Sequence, residues 1–434
     1  MPLPAVEPMP PRAGSAIPWL GAGIGLLRDP TGFFATARQR LGDTFLADAF
    51  GYRLLCVFSP DAVRRLYELP EADASKGLAD MALLRLKLPD ELMLGRRMRP
   101  HDLFGGEEVE TYLGAVRHAA DLEVAQLGER GTFDAFALGR RLGQRIGLAC
   151  WAGPEAASPR HLERLLPLLD RLDASDAFVR PAQGFAAWAT GKRRERAAVA
   201  GIERVIGEIL AERARDLRPR DDFLARIAER WSDATGDQHV RGVARDVVML
   251  HMGAQSNLPA ALAWTLVDLL AERDLYARVT AGDDPLLERC ASESIRLAQR
   301  SITLRLVRRE IEVDDGRRAY RVAPGVFLTT MLSVTNATAA PGLDRYDPAH
   351  FDGRRLVAPS GLPARELVST FGHGRHACPA QRFSISAIRI AVRALVERFA
   401  LERLDDPEPR RAQVGGVARG ERPCRVAYRA RDGA

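Results

Sequence analysis

One stretch of the sequence, Phe371-Gly372-His373-Gly374-Arg375-His376-Ala377-Cys378-Pro379, places a single cysteine just before an apolar helical pattern. The glycines Gly372 and Gly374 permit a tight backbone turn ahead of the sulfur. A thiolate near a helix N-terminus is stabilised by unpaired backbone N–H groups and by the helix dipole. A lone free cysteine is usually a buried structural residue. Because cysteine binds metals as the thiolate, however, this context predicts a metal ligand at Cys378.

The order Phe-Gly-x-Gly-x-His-x-Cys resembles the haem-binding loop of the cytochrome P450 family, in which a cysteine thiolate is the proximal ligand of haem iron. Phe371, Gly372 and Cys378 match that loop, whereas Ala380 stands where the family usually has glycine. The resemblance extends over about residues 17–428 and implies haem b as the cofactor. It also implies the P450 fold, which is mainly α with a small β-region (α+β) and arranges its helices as a triangular bundle around the haem.

The sequence also indicates how the chain is divided. The proline-rich residues 1–16 predict a flexible leader, and residues 17–434 resemble a single P450 domain. Two β-rich runs around a glycine turn predict a hairpin at about residues 44–58. Residues 133–232 repeat amphipathic helical patterns, and residues 411–430 predict a last hairpin.

The charge balance bears on the partners of the protein. Its 434 residues include 63 Lys and Arg against 57 Asp and Glu, a formal net charge of +6. Nucleic-acid binding is the simplest use of a basic chain, but no recognition motif accompanies it. A basic face that docks an acidic electron donor fits better, because complementary charge speeds encounter. The resemblance implies a ferredoxin or a flavodoxin-type protein as that donor.

Cysteine usage and the N-terminal sequence bear on the compartment. The five cysteines are widely spaced, and the N-terminal residues contain neither a signal peptide nor an apolar anchor. An odd number of cysteines without a signal peptide indicates a reducing compartment. We therefore expect a cytoplasmic protein of the bacterial type, without a membrane anchor.

The longest apolar run, within residues 245–272, predicts a buried helix. A transmembrane span is the alternative at this length, but the centre of the run, His251 and Gln255-Ser256-Asn257, is too polar for lipid. Pro259 removes a backbone donor and clashes with the preceding turn, so it predicts a kink in this helix.

This helix resembles the distal helix of P450s, which crosses the haem face where oxygen binds. The family pattern Ala/Gly-Gly-x-Asp/Glu-Thr corresponds to Gly253-Ala254-Gln255-Ser256-Asn257, so Ser256 replaces the acid and Asn257 replaces the alcohol. An amide is not an acid near neutral pH, but it can hydrogen-bond oxygen or orient water. Gln255, Ser256 and Asn257 are therefore our catalytic candidates. Alternatively, these polar side chains only satisfy the backbone of a kinked helix.

The same polar segment followed by proline is similar to the distal helices of two further groups of enzymes. One is prostacyclin synthase, which needs no electron donor, and the other is the bile-acid-forming sterol hydroxylases, which activate oxygen. The resemblance therefore leaves both kinds of chemistry open.

Further motifs resemble the supporting frame of the family. Glu293 and Arg296 match its Glu-x-x-Arg pair, whose members share one helix face, and His350 stands where a later loop usually supplies an arginine. The resemblance gives these three residues a structural role in a buried charge cluster. Arg305 and His376 match the side chains that hold the haem propionates, and a planar guanidinium suits a carboxylate.

The basic contact from the helix predicted at residues 107–127 stays undecided. Family members often place a basic residue there against a haem propionate. Val109 and Leu113 occupy the usual positions, so this contact is either missing or supplied by Arg117 or His118.

Residues 76–104 show no regular pattern and correspond to the substrate-contacting loop of the family. The pocket candidates in this loop are Met81, Leu84, Leu86 and Met93. Each of them fits an ordinary hydrophobic core as well.

Three functions are compatible with these residues. The leading one is monooxygenation of a lipophilic small molecule in secondary metabolism, with electrons from the donor protein, because thiolate ligation favours O–O cleavage. The second is donor-independent isomerisation, dehydration or group transfer at the same haem, motivated by Ser256 and Asn257. The third is a haem-binding module without catalysis. NADPH oxidation coupled to product formation with added partners favours the first over the second. The third requires that no oxidant gives turnover and that the distal pocket is sealed.

Overall fold

The computed structural model describes residues 3–15, 17, 19–96, 103–104, 109–173, 181–216, 220–352, 355–357 and 361–431. The chain forms two compact units. The first comprises Met1–Leu84, Ile295–Cys378 and Pro409–Ala418, and the second comprises Arg85–Ser294, Pro379–Glu408 and Arg419–Ala434. Helices predominate over several small sheets, which confirms the expected mainly α fold with a small β-region. The single domain expected over residues 17–434 stays a prediction.

The first unit contains most of the β-structure. Its six-stranded sheet has the spatial order Arg12–Ala13, Thr44–Ala49, Tyr52–Val57, Phe327–Met331, Ile302–Val307 and Ala74–Ser75. A three-stranded sheet has the order Val6–Glu7, Ala319–Val322 and Ile311–Asp314, and Phe351–Asp352 pairs with Arg355–Leu356. The α-helices of this unit are Gly23–Arg28, Pro30–Leu41, Pro60–Glu68, Lys76–Leu84 and Leu332–Thr338. Short 3-10 helices lie at Pro348–His350, Arg365–Leu367 and Gly374–His376.

Local sequence explains the first elements of this unit. The predicted hairpin is confirmed: Thr44–Ala49 pairs antiparallel with Tyr52–Val57. Its two-residue turn holds Phe50 and Gly51 at φ 54° and 83°, the left-handed region that tight hairpin turns require. The hydroxyl of Ser59 then accepts a hydrogen bond from the Ala62 amide and caps the next helix.

Two expectations for the first unit are wrong. The flexible leader expected at residues 1–16 contributes the strands Val6–Glu7 and Arg12–Ala13, and the Val6 side chain is buried in the core. The start of the segment expected to be irregular, residues 76–104, folds as the helix Lys76–Leu84. Sheet pairing and core packing supply the order that neither local sequence predicts. Residues 97–102 of this segment lie outside the described residues.

The second unit is mainly helical. Its α-helices are Val109–Val124, Ala135–Trp151, Pro159–Leu172, Pro181–Ala189, Arg193–Arg215, Phe223–Arg230, Gly236–Ala254, Asn257–Ala271, Arg273–Thr280, Asp284–Ala298 and Gln381–Arg398. The last four residues of Asp284–Ala298 belong to the first unit. A 3-10 helix lies at Asp90–Leu92. None of the described helices combines the length and the apolar composition needed to cross a bilayer.

The apolar helix Asn257–Ala271 is buried along most of its length by other helices of the second unit. It crosses Ala135–Trp151 at two glycines. A Cβ atom on Gly139 would lie 2.8 Å from the Pro259 carbonyl oxygen, and one on Gly143 would lie 2.8 Å from the Pro259 ring. The absence of side chains at these glycines therefore permits the close approach of the two helices.

The last hairpin expected within residues 411–430 is also wrong. The strand Arg425–Ala430 pairs antiparallel with Phe399–Arg403 on one side and with Arg130–Asp134 on the other. Its neighbours in the sheet therefore come from outside the expected segment. The long connection before Arg425 contains no second strand of this sheet in the described chain.

Candidate functional site

The cysteine loop, residues 369–378, is held by its own backbone. The Cys378 amide donates to the Phe371 carbonyl oxygen at 2.7 Å, and the 3-10 turn Gly374–His376 lies between them. Gly372 has a φ of 78°, and a Cβ atom there would lie 2.8 Å from the His376 carbonyl oxygen. Only glycine meets both conditions without strain. The predicted tight turn is therefore present, and it fixes the position of Cys378 at the end of the loop.

Cys378 differs from the other four cysteines in exposure. All five lie in the described residues, and only Cys378 is half-buried; the rest are buried. Burial raises the pKa of the Cys56 and Cys150 thiols, and it raises the pKa of Cys424 to about 11. A thiol acts as a metal ligand only when it is deprotonated and accessible. Exposure and the fixed loop therefore favour Cys378 as the ligand.

A buried hydrogen-bond chain supports the cysteine loop from within the first unit. The Gly372 amide donates to Ser369 Oγ at 3.0 Å. The Ser369 amide donates to Asn336 Oδ1 at 2.7 Å, and Asn336 Nδ2 donates to the Ser369 carbonyl at 3.0 Å. Asn336 Nδ2 also donates to the Arg296 carbonyl at 2.9 Å, and Arg296 Nη1 donates to the Asn336 carbonyl at 2.6 Å. Arg296 is thereby linked to the loop through Asn336 and Ser369, neither of which the sequence indicated.

The other members of the expected charge cluster are placed as follows. Glu293 and Arg296 are fully buried on the helix Asp284–Ala298, and Arg296 also donates to the Leu343 carbonyl at 2.6 Å. His350 ends the 3-10 turn Pro348–His350 and is half-buried. A cluster of Glu293, Arg296 and His350 stays a prediction.

Arg305 and His376 converge on one carboxylate, that of Glu71. Arg305 Nη2 lies 3.1 Å from Glu71 Oε1, and His376 Nε2 lies 2.8 Å from the same oxygen. Arg305 also donates to the carbonyls of Leu66 and Ala74, each at 2.8 Å. We call Glu71, Arg305 and His376 the Glu71 clamp. The sequence did not indicate Glu71, because a single glutamate after a proline is usually a solvent-exposed residue and carries no functional signal.

The electrostatics of the clamp favour an ionised carboxylate. Desolvation raises the pKa of Glu71, but hydrogen bonds from Ser75 and from the Lys76 amide, with the nearby His376, bring it below its usual value. Burial lowers the pKa of Arg305, and the charge of Glu71 opposes that effect. Arg305 and His376 therefore contact an ionised carboxylate, that of Glu71, in this structure. A haem propionate presents the same chemical group.

The predicted distal helix is interrupted rather than continuous. It begins earlier than expected, as Gly236–Ala254, and resumes as Asn257–Ala271. Residues 255 and 256 form the break between these two helices. Pro259 lies in the first turn of the second helix, where its missing N–H would otherwise donate to the Gln255 carbonyl. The predicted kink is thus confirmed, and its cause is the proline.

The three catalytic candidates at the break have different surroundings. Gln255 is 4% exposed, and its Nε2 donates to Asp173 Oδ1 at 3.1 Å. Ser256 and Asn257 are only partly buried, and Asn257 Nδ2 donates to the Gly253 carbonyl at 3.2 Å. Asn257 thus satisfies a backbone carbonyl at the break, as the structural alternative expected, and Gln255 points into a buried polar cluster.

The helix expected at residues 107–127 is described as Val109–Val124. The side chain of Val109 lies outside the described residues. Leu113 is buried, whereas Arg117 and His118 are exposed on this helix. The basic contact expected from this helix stays a prediction.

The pocket candidates of the expected substrate loop differ in exposure. Met93 is 3% exposed and belongs to the core, and Met81 and Leu84 are partly buried on the helix Lys76–Leu84. Leu86 is 46% exposed. Their contact with a substrate stays a prediction.

The described residues fit a haem in two respects. An accessible cysteine on a rigid loop suits iron ligation, and the arginine–histidine pair already holds a carboxylate. Both features belong to the first unit.

Comparison with known proteins identifies relatives over most of the chain. It is 23% identical to the sterol 14alpha-demethylase of Mycobacterium tuberculosis over 351 residues, which cover 76% of each chain. It is 21% identical to the 24-hydroxycholesterol 7-alpha-hydroxylase of Mus musculus over an alignment of 454 residues, 97% of this chain and 93% of the relative. A cytochrome P450 monooxygenase of Aspergillus fumigatus is 28% identical over 221 residues, 44% of this chain and 41% of the relative. No family model matches the chain.

These relatives are cytochrome P450 enzymes, which use haem, and the mainly α fold of this chain is consistent with theirs. The chain is similar, over most of its length, to enzymes of the cytochrome P450 family.

Proposed function

We propose that this protein is a haem-thiolate monooxygenase that acts on a lipophilic small molecule in secondary metabolism. The observation that carries the proposal is the position of Cys378, the one half-buried thiol of five, at the end of a loop fixed by Gly372 and Phe371. Two relatives named above act on sterols by their names, which supports a lipophilic substrate.

The site residues of the first unit have distinct roles in this proposal. Cys378 would hold the iron, and Arg305 and His376 would hold a propionate. Phe371 and Gly372 keep the cysteine loop in its turn. When bound, a thiolate-ligated haem supplies oxygen activation, because the thiolate pushes electron density towards the iron. Arg296 and Asn336 act indirectly, by anchoring the loop through Ser369.

Residues at the helix break would order the substrate side. Asn257 and Ser256 keep part of their surface open, so their amide and hydroxyl can hold a water molecule or position a proton donor. Neither group is an acid at neutral pH, and protons must therefore arrive through ordered water. Gln255 is held by its hydrogen bond to Asp173 and stabilises the conformation of the helix break.

The electron donor is proposed from charge. Enzymes of this family need a redox partner, and the net charge of +6 favours an acidic one. We propose a ferredoxin or a flavodoxin-type protein as the donor, and the cytoplasm as the compartment.

The reduced-CO difference spectrum of the purified protein tests this proposal, with Cys378→Ser as the variant and Cys424→Ser as the matched control. We expect the red-shifted Soret band of thiolate ligation in the wild type and the control, and its loss in Cys378→Ser. A spectrum of histidine ligation in the wild type, or the same band in Cys378→Ser, would contradict the ligand assignment.

A second candidate function is donor-independent isomerisation, dehydration or group transfer at the same haem. The replacement of the usual acid and alcohol by Ser256 and Asn257 favours it. Product formation that requires NADPH and an added donor protein supports monooxygenation. Turnover of a peroxide substrate without either of them supports the second function.

A further inference from the structure

A buried polar cluster lies on one side of the helix break, within the second unit. It consists of Trp151, Asp173, His251 and Gln255, each no more than 4% exposed. His251 and Gln255 are four residues apart and therefore share one face of the helix end. Gln255 Nε2 donates to Asp173 Oδ1, and Arg419 forms an ion pair with Asp173 Oδ2.

The hydrogen bond from Trp151 identifies the tautomer of His251. Trp151 Nε1 can only donate, and it lies 3.3 Å from His251 Nδ1. His251 Nδ1 is therefore the acceptor, and the ring proton sits on Nε2. Burial also lowers the pKa of His251 to about 3, so the ring stays neutral and Nε2 is a hydrogen-bond donor.

Two polar atoms of this cluster have no hydrogen-bond partner among the described residues. They are His251 Nε2, a donor, and Gln255 Oε1, an acceptor. Both are shielded from solvent, and buried polar atoms without partners are rare because they lose hydration without compensation. One donor and one acceptor on the same helix face are the complement of one water molecule.

Asp173 supplies a third partner for such a molecule. Its Oδ1 accepts from Gln255 Nε2 at 3.1 Å, so the carboxylate lies beside the Gln255 amide. A carboxylate oxygen accepts more than one hydrogen bond. A water molecule at this position could accept from His251 Nε2, donate to Gln255 Oε1 and direct its second O–H to Asp173.

We propose that a single buried water molecule is bound between His251 Nε2 and Gln255 Oε1, and that it fixes the Gln255 end of the helix break. The water joins the last turn of Gly236–Ala254 to Asp173 and, through it, to Arg419. Its relevance to catalysis rests on the proposed function, because Ser256 and Asn257 follow Gln255 directly. Asp173, His251 and Gln255 are positioning residues in this scheme.

The first test is a crystal structure of the holoenzyme at a resolution that shows ordered water. We expect a density peak within hydrogen-bond distance of both His251 Nε2 and Gln255 Oε1. A direct hydrogen bond between these two atoms, or a dry site, would overturn the proposal.

The second test is a double-mutant cycle with His251→Phe and Gln255→Met, in which unfolding by urea is followed. If one water connects the two side chains, the double variant loses less stability than the sum of the two single losses. His161→Phe is the matched control, since His161 is a buried histidine that contacts Ser158 and Glu155 instead. Its loss should add to that of Gln255→Met. Equal additivity in both cycles would contradict the shared water.

Amide hydrogen exchange measures local opening of the helix break directly, without relying on a signal from the haem. In Gln255→Met, we expect the amides of residues 253–257 to exchange roughly tenfold faster, because local opening becomes easier. Unchanged exchange there would contradict the anchoring role. Neither the urea cycle nor the exchange measurement depends on iron ligation or turnover, so the water site and the proposed function can fail separately.

Discussion

Arg305 Nη2 lies 3.1 Å from Glu71 Oε1, and the arginine side chain is 1% exposed whereas that of Glu71 is 39% exposed. The buried cation is thus held by a carboxylate that can reach solvent. Arg305 keeps three backbone carbonyl acceptors within 3.5 Å besides Glu71. An incoming carboxylate could therefore replace Glu71 without leaving the guanidinium unsatisfied.

Glu71→Gln should strengthen haem binding and weaken the haem-free protein. A neutral side chain competes less with a propionate for Arg305 and His376, but it removes the charged partner of a buried arginine. We expect a loss of about 1 kcal/mol in the unfolding free energy of the haem-free protein, since the pair is partly screened by solvent. Urea unfolding and Soret titration with haem measure the two effects. Glu68→Gln, an exposed glutamate nearby, is the control, and weaker haem binding by Glu71→Gln would contradict the displacement.

Asn336→Ala should destabilise the protein by about 3 kcal/mol. The change leaves the carbonyls of Arg296 and Ser369 and the Ser369 amide without their partner in a buried site. Thr338→Ala on the same helix removes a hydroxyl that donates to the Val334 carbonyl in a half-buried position and accepts from Arg38 Nη1 in an exposed one. It should cost about 1 kcal/mol, because an exposed hydrogen bond adds little to the net value of the half-buried one. Chemical denaturation measures both, and equal losses would show that Asn336 does not anchor the loop.

Asp268→Asn should change how stability depends on pH. Desolvation raises the pKa of Asp268 to about 7 from an ordinary value of 3.8, although Arg403 partly opposes it. The folded protein then holds a proton that the unfolded chain releases, so the stability contributed by this group is present below pH 3.8 and lost as pH rises to about 7.

Asp268→Asn has no carboxyl group to titrate, so it does not lose this stability as pH rises. Relative to the wild type, Asp268→Asn should gain about 2 kcal/mol between the two ends of that window, a value reduced from the full shift because Asp268 is only half-buried. Urea unfolding across the pH range measures it. Asp274→Asn, at an exposed position, should follow the wild type, and parallel curves for wild type and Asp268→Asn would refute the prediction.

Gly139→Ala should destabilise the second unit by about 2 kcal/mol, because the new methyl group overpacks the crossing with Pro259. Gly114→Ala offers a matched control in another helix, since no atom lies within 4 Å of its would-be Cβ. There the substitution should stabilise by up to about 1 kcal/mol through helix propensity. Thermal unfolding of both variants gives the comparison, and a neutral Gly139→Ala would mean that the helices can separate slightly at this point.

Sequence reasoning was most successful where the deciding interactions are local. The hairpin at Thr44–Val57, the cap at Ser59 and the break caused by Pro259 each depend on residues close together in the chain. The turn of the cysteine loop was predictable for the same reason, since Gly372 and Cys378 are six residues apart.

Contacts between distant segments could not be predicted in this way. Glu71 meets Arg305 across 234 positions, and Asp173 meets Gln255 across 82. Neither acidic residue lies in a motif, and an isolated carboxylate in a sequence usually indicates a solvated surface. The strand Val6–Glu7 was missed because its order comes from pairing with Ala319–Val322, and two residues carry no strand signal of their own.

The division of labour at the helix break has a practical consequence for redesign. Gln255 lies in the interior, whereas Ser256 and Asn257 retain open surface and Asn257 donates to the Gly253 carbonyl. A combinatorial library restricted to positions 256 and 257 would therefore vary the chemistry presented there while the scaffold beneath stays intact. If the library also varied position 255, any change in selectivity would come with a larger share of misfolded variants, because Gln255 is buried and bonded to Asp173.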